Sequence, residues 1–517
     1  MKLNYKRTIF VGFAFFLISA FWQAYDNVIP LILTNKFGLS QAWSGVIMAL
    51  DNILALFMLP LFGALSDKVD TRLGKRTPFI LCGTLVAVVT FVALSFVDAA
   101  QLRNIQKVAV IDDPESLACI YEQQADAELL TPDGERFVLS ERFTEEEFTE
   151  IRSQVTENGK TVTNHDYTNY VVPARQACAK AATHAYPRVL ILFIGLLLIT
   201  LISMATFRSP AVALMPDVTI KPLRSKANAV INLMGSAGGI LVLVLGMVFA
   251  TSSVKNSLMN YIAFFLVVGC LMLAALGVFL WRVREPRFVR EMREESRRYG
   301  IDEEPEDDKN GGKRRLSPTE RRSMLFLLAS IVLWFFGYNA ITSKYSVYAS
   351  NILHKDYNLT LIIAQAAAIL AYLPVGAVAS KVGRKKTILA GVAMLFTAFL
   401  VASFLSSDSP TMLMNAMFAL AGVAWATINV NSFPMVVEMC SGGDIGKYTG
   451  FYYTASMAAQ VATPMLSGML MDRLGMTVLF PYSTVFVALA FVTMLFVMHG
   501  DSRPTAKRGL EALEDLD

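Results

Sequence analysis

Charge is scarce in this sequence. Only 17% of its 517 residues are Asp, Glu, Lys or Arg, against 54% hydrophobic residues and a mean hydropathy of +0.48. A soluble chain of this length needs a far more polar surface, so the composition places it among membrane proteins. Histidine is scarcer still. His165, His184, His354 and His499 stand far apart and form neither an HExxH motif nor a Cys-His cluster, so the sequence predicts no metal site and no enzyme. A phosphate loop is lacking too: Gly442-Gly443-Asp444-Ile445-Gly446-Lys447 is one spacer short and runs into Tyr448, which argues against a nucleotide-driven pump. The net charge of +4 gives no reason to expect a nucleic-acid partner. No cofactor is expected.

Long apolar runs are what the chain has in abundance. Thr8 to Leu33 alone exceeds the roughly 20 residues that cross a hydrocarbon core, and it is too long for a signal peptide. Further runs lie near 40–66, 77–97, 186–216, 226–250 and 258–281, and a second set near 323–350, 359–380, 387–406, 410–437, 448–470 and 477–498. The expected fold is an all-α membrane protein of twelve transmembrane helices in two six-helix pseudo-symmetric halves. Its segments are 1–97 (helices 1–3), 98–185 (an external soluble insert), 186–281 (helices 4–6), 282–322 (a cytoplasmic linker), 323–499 (helices 7–12) and 500–517 (a cytoplasmic tail). Lys68, Arg72, Lys75, Arg76, Lys221, Arg224, Lys226, Lys381, Arg384, Lys385 and Lys386 then all fall in loops on one side. The positive-inside rule makes that side, and both termini, cytoplasmic in a cell membrane.

The insert carries 16 Asp plus Glu against 8 Lys plus Arg, and the same topology puts it outside. Asp133-Gly134 and Asn158-Gly159 read as hairpin turns, and Thr144 to Glu147 as a capping box. Cys119 and Cys178 both lie in it; an exported compartment permits them to form a disulfide, and a reducing one leaves two thiols. The linker from Glu285 to Gly300 reads as a basic amphipathic helix suited to anionic lipid, and Asp302 to Gly312 as coil.

Between the second and third runs stand Gly63-Ala64-Leu65-Ser66-Asp67-Lys68 and Gly74-Lys75-Arg76-Thr77-Pro78-Phe79-Ile80. A glycine here permits close helix approach, and a carboxylate at a helix end can hold neighbouring cations. This resembles the signature loop of the major facilitator superfamily, and it echoes in the second half as Gly376 to Lys386, with Ser380 in place of the acid. Helices 4 and 10 end in similar stretches, at Asp217 and Glu438. Gly63, Asp67, Lys68, Gly74, Lys75, Arg76, Asp217, Arg384 and Glu438 are therefore the expected gating residues. Lys-Arg-Thr-Pro-Phe-Ile and Pro-Ala-Val-Ala-Leu-Met-Pro-Asp narrow the resemblance to sucrose carriers and glycoside-pentoside-hexuronide cation symporters, over all twelve helices but not the insert. Val212 departs from the arginine of sucrose carriers, which points away from sucrose itself.

An ionisable group at bilayer depth costs at least ~2.5 kcal/mol, so each one asks for a purpose. Asp51 and Asp26 are the candidates for cation coupling, and the resemblance implies the same, since related symporters use acids of helix 2 for the cation and an acid of helix 1 for sugar hydroxyls. The resemblance is partial: melibiose-type carriers have a pair of acids on helix 2 and another inside helix 4, whereas here Asp51 is alone and helix 4 offers Arg208, so a proton is expected rather than sodium. Sugars are held by polar side chains and aromatic faces. Candidate substrate contacts are Trp22, Gln23, Asp26, Asn52, Arg208, Asn228, Asn232, Tyr338, Tyr345, Gln365, Trp425, Asn429, Tyr452 and Gln460. Helical spacing groups Trp22, Gln23 and Asp26; Tyr338, Thr342 and Tyr345; and Tyr452, Ser456 and Gln460.

The expected function is proton-coupled symport of a mono- or disaccharide by a monomer in contact with membrane lipid. Proton-coupled efflux of another small molecule and a non-transporting sensor of the same fold are the alternatives. Helix 5 carries Gly235, Gly238 and Gly239 but lacks the Gly-Pro pair of drug antiporters, which favours import.

Overall fold

The computed structural model describes residues 3–157, 160–220, 223–298, 317–437 and 445–500. Three long helices open the chain: α1 (Tyr5–Asn35), α2 (Gln41–Lys68) and α3 (Thr77–Asn104). Asn4 and Ser40 cap the first two by accepting from the backbone amides of Arg7 and Trp43.

A small unit with its own core follows. It contains α4 (Gln106–Ala109), α5 (Pro114–Gln124), β1 (Glu128–Leu130), β2 (Arg136–Val138), α6 (Leu139–Arg142), α7 (Glu145–Glu150), β3 (Gln154–Glu157), β4 (Lys160–Thr163) and α8 (Val172–Ala185). The strands form two antiparallel hairpins, the first turning at Asp133-Gly134, where Gly134 has φ +92°. Thr144 and Glu147 make the reciprocal capping box expected of them. The Asn158-Gly159 turn lies outside the described residues. Leu117, Ile120, Leu139, Phe148, Tyr167 and Val171 bury this unit's interior.

The bundle resumes with α9 (Pro187–Asp217), α10 (Arg224–Val248) and α11 (Ile262–Arg282), then the linker helix α12 (Glu285–Arg298). The second set is α13 (Pro318–Tyr348), α14 (Tyr357–Val382), α15 (Arg384–Ala402), α16 (Thr411–Val437), α17 (Ile445–Leu474) and α18 (Leu479–Leu495). Asp302–Gly312 and most of the tail lie outside the described residues. Among those described, ten helices are long and apolar enough to cross a membrane. The other two expected spans are helical as well: α14 holds an apolar stretch over Tyr357–Tyr372, and α17 is less apolar, with Gly, Thr and Tyr recurring along it.

The packing repeats. In the first half α1 lies on α10 and α11, α3 on α9 and α11, and α2 on α9; in the second, α13 lies on α17 and α18, α15 on α16 and α18, and α14 on α16. Each half buries a separate apolar core, around Phe21, Phe91 and Phe265 in one and Trp334, Leu395 and Phe480 in the other. The halves meet through α2 against α17 and α10 against α14. Their hydrogen bonds cluster at the end that carries the inserted unit. There Asp472 accepts from the amides of Gln41 and Ala42 at 2.7 and 2.8 Å, Lys344 donates to the Gln41 carbonyl at 2.6 Å, and the hydroxyls of Thr251 and Tyr357 are 2.7 Å apart. Gly45 and Gly468 permit that closeness, since a Cβ at either would meet the facing backbone at 2.0 or 2.3 Å.

Candidate functional site

Two adjoining cavities lie between the halves. The larger, of about 310 Å³, is lined by Gln23, Asp26 and Asn27 from α1, Ser236 from α10, Tyr338 and Thr342 from α13, Gln365 and Tyr372 from α14, and Phe418 and Trp425 from α16. Tyr338 and Trp425 stack face to face, with ring centroids 3.6 Å apart and planes within 2°. Gln23 and Gln365 converge on Gly239 of α10, where a Cβ would stand 3.3 and 3.1 Å from their amides. The buried Oε1 of Gln365 has no hydrogen-bond partner among the described residues. A flat aromatic wall facing amides is the chemistry that holds a polyol with apolar CH faces.

The smaller cavity, of about 180 Å³, shares Asp26 and Thr342 and adds Trp22, Asp51, Asn52, Arg208, Asn339 and Gln460. Asn52 donates to the Asp51 carboxylate at 2.8 Å. The Arg208 guanidinium stands 5.6 Å over the Trp22 ring and within electrostatic reach of both Asp51 and Asp26. Two carboxylates and one guanidinium leave a single uncompensated negative charge, which one bound proton or cation neutralises. Trp22 Nε1 and Asn339 Nδ2 are buried without partners among the described residues, so the cluster keeps donors for a further oxygen.

Nine of the expected substrate contacts therefore line these cavities: Trp22, Gln23, Asp26, Asn52, Arg208, Tyr338, Gln365, Trp425 and Gln460. Others are placed elsewhere. Tyr345 is buried, its hydroxyl 2.7 Å from that of Thr360 and its ring against Phe418. Tyr452 pairs with the Ser432 hydroxyl at 3.2 Å, Asn429 bonds to the Tyr372 hydroxyl, and Asn232 is exposed. The Asn228 side chain lies outside the described residues. Sequence reasoning passed over Asn27, Ser236, Asn339, Ser343 and Tyr372; of these Tyr372 carried a signal, seven residues after Gln365 and so on the same helical face.

The signature loop forms a compact ionic latch. Arg76 is buried, binds the Asp67 carboxylate and the Ser66 hydroxyl, and donates to Asp217 at 2.8 Å. Gly63 lets α2 approach α9, since a Cβ there would be 2.9 Å from Ser209 Oγ. An acid that sequence reasoning left unassigned completes it: Glu285 of α12 accepts from the amides of Lys75, Arg76 and Thr77 at 2.7 to 3.0 Å and from the Thr77 hydroxyl. It caps the start of α3. Gly74, at φ +112°, is needed because a Cβ would collide with that carboxylate. Lys68 and the Lys75 side chain are exposed. Arg384 starts α15 at the equivalent place, and Glu438 lies outside the described residues.

A family profile, MFS_1 like family, matches residues 4–482. Curated relatives match over short stretches. A protein of Escherichia coli (strain K12) named for glycoside/cation symport, YagG, is 31% identical over 18% of this chain and 22% of its own length. The general alpha-glucoside permease of Schizosaccharomyces pombe is 35% identical over 10% and 9%. The matched stretches thus span less than a quarter of either relative. Solved structures agree along the whole fold: the inward open conformation of the xylose transporter XylE from E. coli aligns over 99% of this chain and 100% of its own, with a TM-score of 0.58 at 14% identity. A bacterial homologue of the iron transporter ferroportin, inward-facing, aligns over 96% and 99% with a TM-score of 0.59 at 12% identity. At such identities these likenesses carry the fold alone.

Proposed function

We propose, from the premise that this chain belongs to the MFS_1 like family of major facilitator membrane transporters, that it is a secondary transporter performing proton-coupled symport of a sugar. Twelve helices span the cell membrane in two halves, both termini are cytoplasmic, and the inserted unit lies outside. The observation that carries the reading is the adjacency of two sites. A cluster of Asp26, Asp51 and Arg208 with one uncompensated charge shares Asp26 with a cavity walled by the Tyr338–Trp425 stack. Protonation of Asp51 neutralises the cluster and frees Asp26 to accept from a sugar hydroxyl. Release of the proton on the other side restores the charge and weakens the sugar. Rocking of the halves alternates access. Support for a sugar comes from the glycoside and alpha-glucoside transporters that match in part.

The test is uptake into proteoliposomes of labelled mono- and disaccharides, with and without an inward proton gradient, comparing wild type with Asp51→Asn. Gradient-driven accumulation in the wild type, lost in the variant while sugar exchange persists, is the expected result. Should no sugar move while another solute leaves on the proton gradient, the site is an efflux site and the sugar reading falls.

A further inference from the structure

The unit inserted between α3 and α9 is seated on both halves at once. On the first half Gln176 donates to Asn35 at 2.9 Å, Thr183 donates to the Phe37 carbonyl at 2.9 Å, and Gly38 (φ +63°) lies where any Cβ would meet the backbone of α8. On the second half, the tip of the β1–β2 hairpin rests on the end of α17. The Met476 amide donates to the Pro132 carbonyl at 2.6 Å, and Gly134 and Gly475 leave no room for a side chain between them. A second contact lies beside it. His165 of the inserted unit meets His354, in the connection between α13 and α14, edge to face with centroids 5.2 Å apart, and His165 Nε2 is 3.4 Å from the Ser407 hydroxyl.

We propose that this seat is a pH-responsive strap: with His354 neutral against the His165 ring the inserted unit ties the two halves together, and protonation of His354 releases it from the second half. Two imidazoles in ring contact cannot both be charged without repulsion. The remaining charges around them are Lys355 beside His354, Asp408 in the connection between α15 and α16, Asp133 and Glu135 at the hairpin tip, and Asp166 next to His165. Burial, then the neighbouring His165, holds His354 at about 4, below the ordinary 6.5, and Lys355 adds to this against Asp408 and the Ser350 carbonyl. The released form therefore binds protons more readily. Docking is fully favoured above pH 6.5 and weakens as pH falls from there towards 4, the ratio of docked to released strap dropping about tenfold between pH 7.5 and 5.5. The end of α17 and the α13–α14 connection are the parts that must leave α2 and α10 when the bundle opens at this end, so acid in the compartment facing the insert would ease that opening.

The Met476 amide reports the strap directly and needs no transport assay. Hydrogen exchange of the peptide containing it is followed at pH 7.5 and 5.5 on the full-length protein in detergent, corrected for intrinsic rates. Wild type is expected to lose about tenfold protection at pH 5.5, and the double variant His165→Gln/His354→Gln to keep equal protection at both. His165→Gln alone, at an exposed position, is expected to shrink the loss should the double variant not fold. Protection that is indifferent to pH in the wild type overturns the strap. So does an undiminished loss in the histidine variants, which would place the response on a group other than the two imidazoles; Asp133, which burial pushes up, would favour docking in acid instead.

Discussion

The Lys36 ammonium and the Asp98 carboxylate are 2.6 Å apart, and both side chains are wholly shielded from solvent. Lys36 also donates to the Met259 carbonyl at 2.7 Å and lies 4.6 Å over the Tyr261 ring, while its own carbonyl accepts from Gln101. The pair ties the end of α1 to α3 just beneath the inserted unit. Removing one partner strands a buried charge, so Asp98→Asn or Lys36→Ala is expected to cost about 3–5 kcal/mol. Replacing both, as Lys36→Met with Asp98→Leu, should cost clearly less. Thermal unfolding in detergent decides; a double variant no more stable than either single one refutes the account.

In the larger cavity, Trp425→Ala removes half of the stacked wall and Gln365→Ala a convergent amide. Each is expected to raise the KM for the transported solute by roughly 10-fold or more, the worth of about 1.5–3 kcal/mol of stacking or hydrogen bonding, without loss of folded protein. Initial uptake rates across a concentration series measure it. An unchanged KM in both variants would move the substrate site elsewhere.

Glu285 and Arg76 act at the loop between α2 and α3, away from both cavities. Glu285→Gln removes the negative charge that faces the α3 N-terminus and Arg76→Ala unties Asp67 from Asp217. Both are expected to lower kcat several-fold, as ~1 kcal/mol of conformational bias predicts, while KM changes little. A KM-dominated effect would contradict a gating role.

Cys178 lies in the core of the inserted unit near Cys119, both as thiols, and burial pushes it up to about 11. Only the thiolate is alkylated, so in reduced protein Cys178 is expected to react slowly at pH 7, with a rate rising about tenfold per pH unit up to pH 9. Mass spectrometry after timed alkylation follows it. Reaction as fast as a free cysteine at pH 7 counts against the buried position, and protection that only a reductant lifts reveals pairing with Cys119.

Much of this was legible in the sequence because it rests on local chemistry. Apolar run length located the helices, Asp133-Gly134 the hairpin, Thr144 and Glu147 the capping box, and the glycine, acid and cation spacing of the Asp67 to Arg76 loop its latch. Each of these is decided within one or two turns of chain. Lone charges in apolar helices likewise marked Asp26, Asp51 and Arg208, since membrane depth leaves few reasons to keep them.

What the sequence could not show were pairings across the molecule. Nothing local tells Glu285 that the amides of Arg76 and Thr77 lie beside it, Lys36 that it will meet Asp98, or His165 that it will rest on His354. The same holds for Tyr345, which helical spacing groups with the cavity wall but which packing turns towards Thr360. Sequence by itself determined the membrane class, the helical segments and the ionisable residues within them, because hydrophobicity and helical hydrogen bonding act along the chain. Only the tertiary structure decided which of those residues share a cavity and that the inserted unit straddles both halves, because such contacts depend on how rigid helices cross, a property of the packed bundle rather than of any one segment.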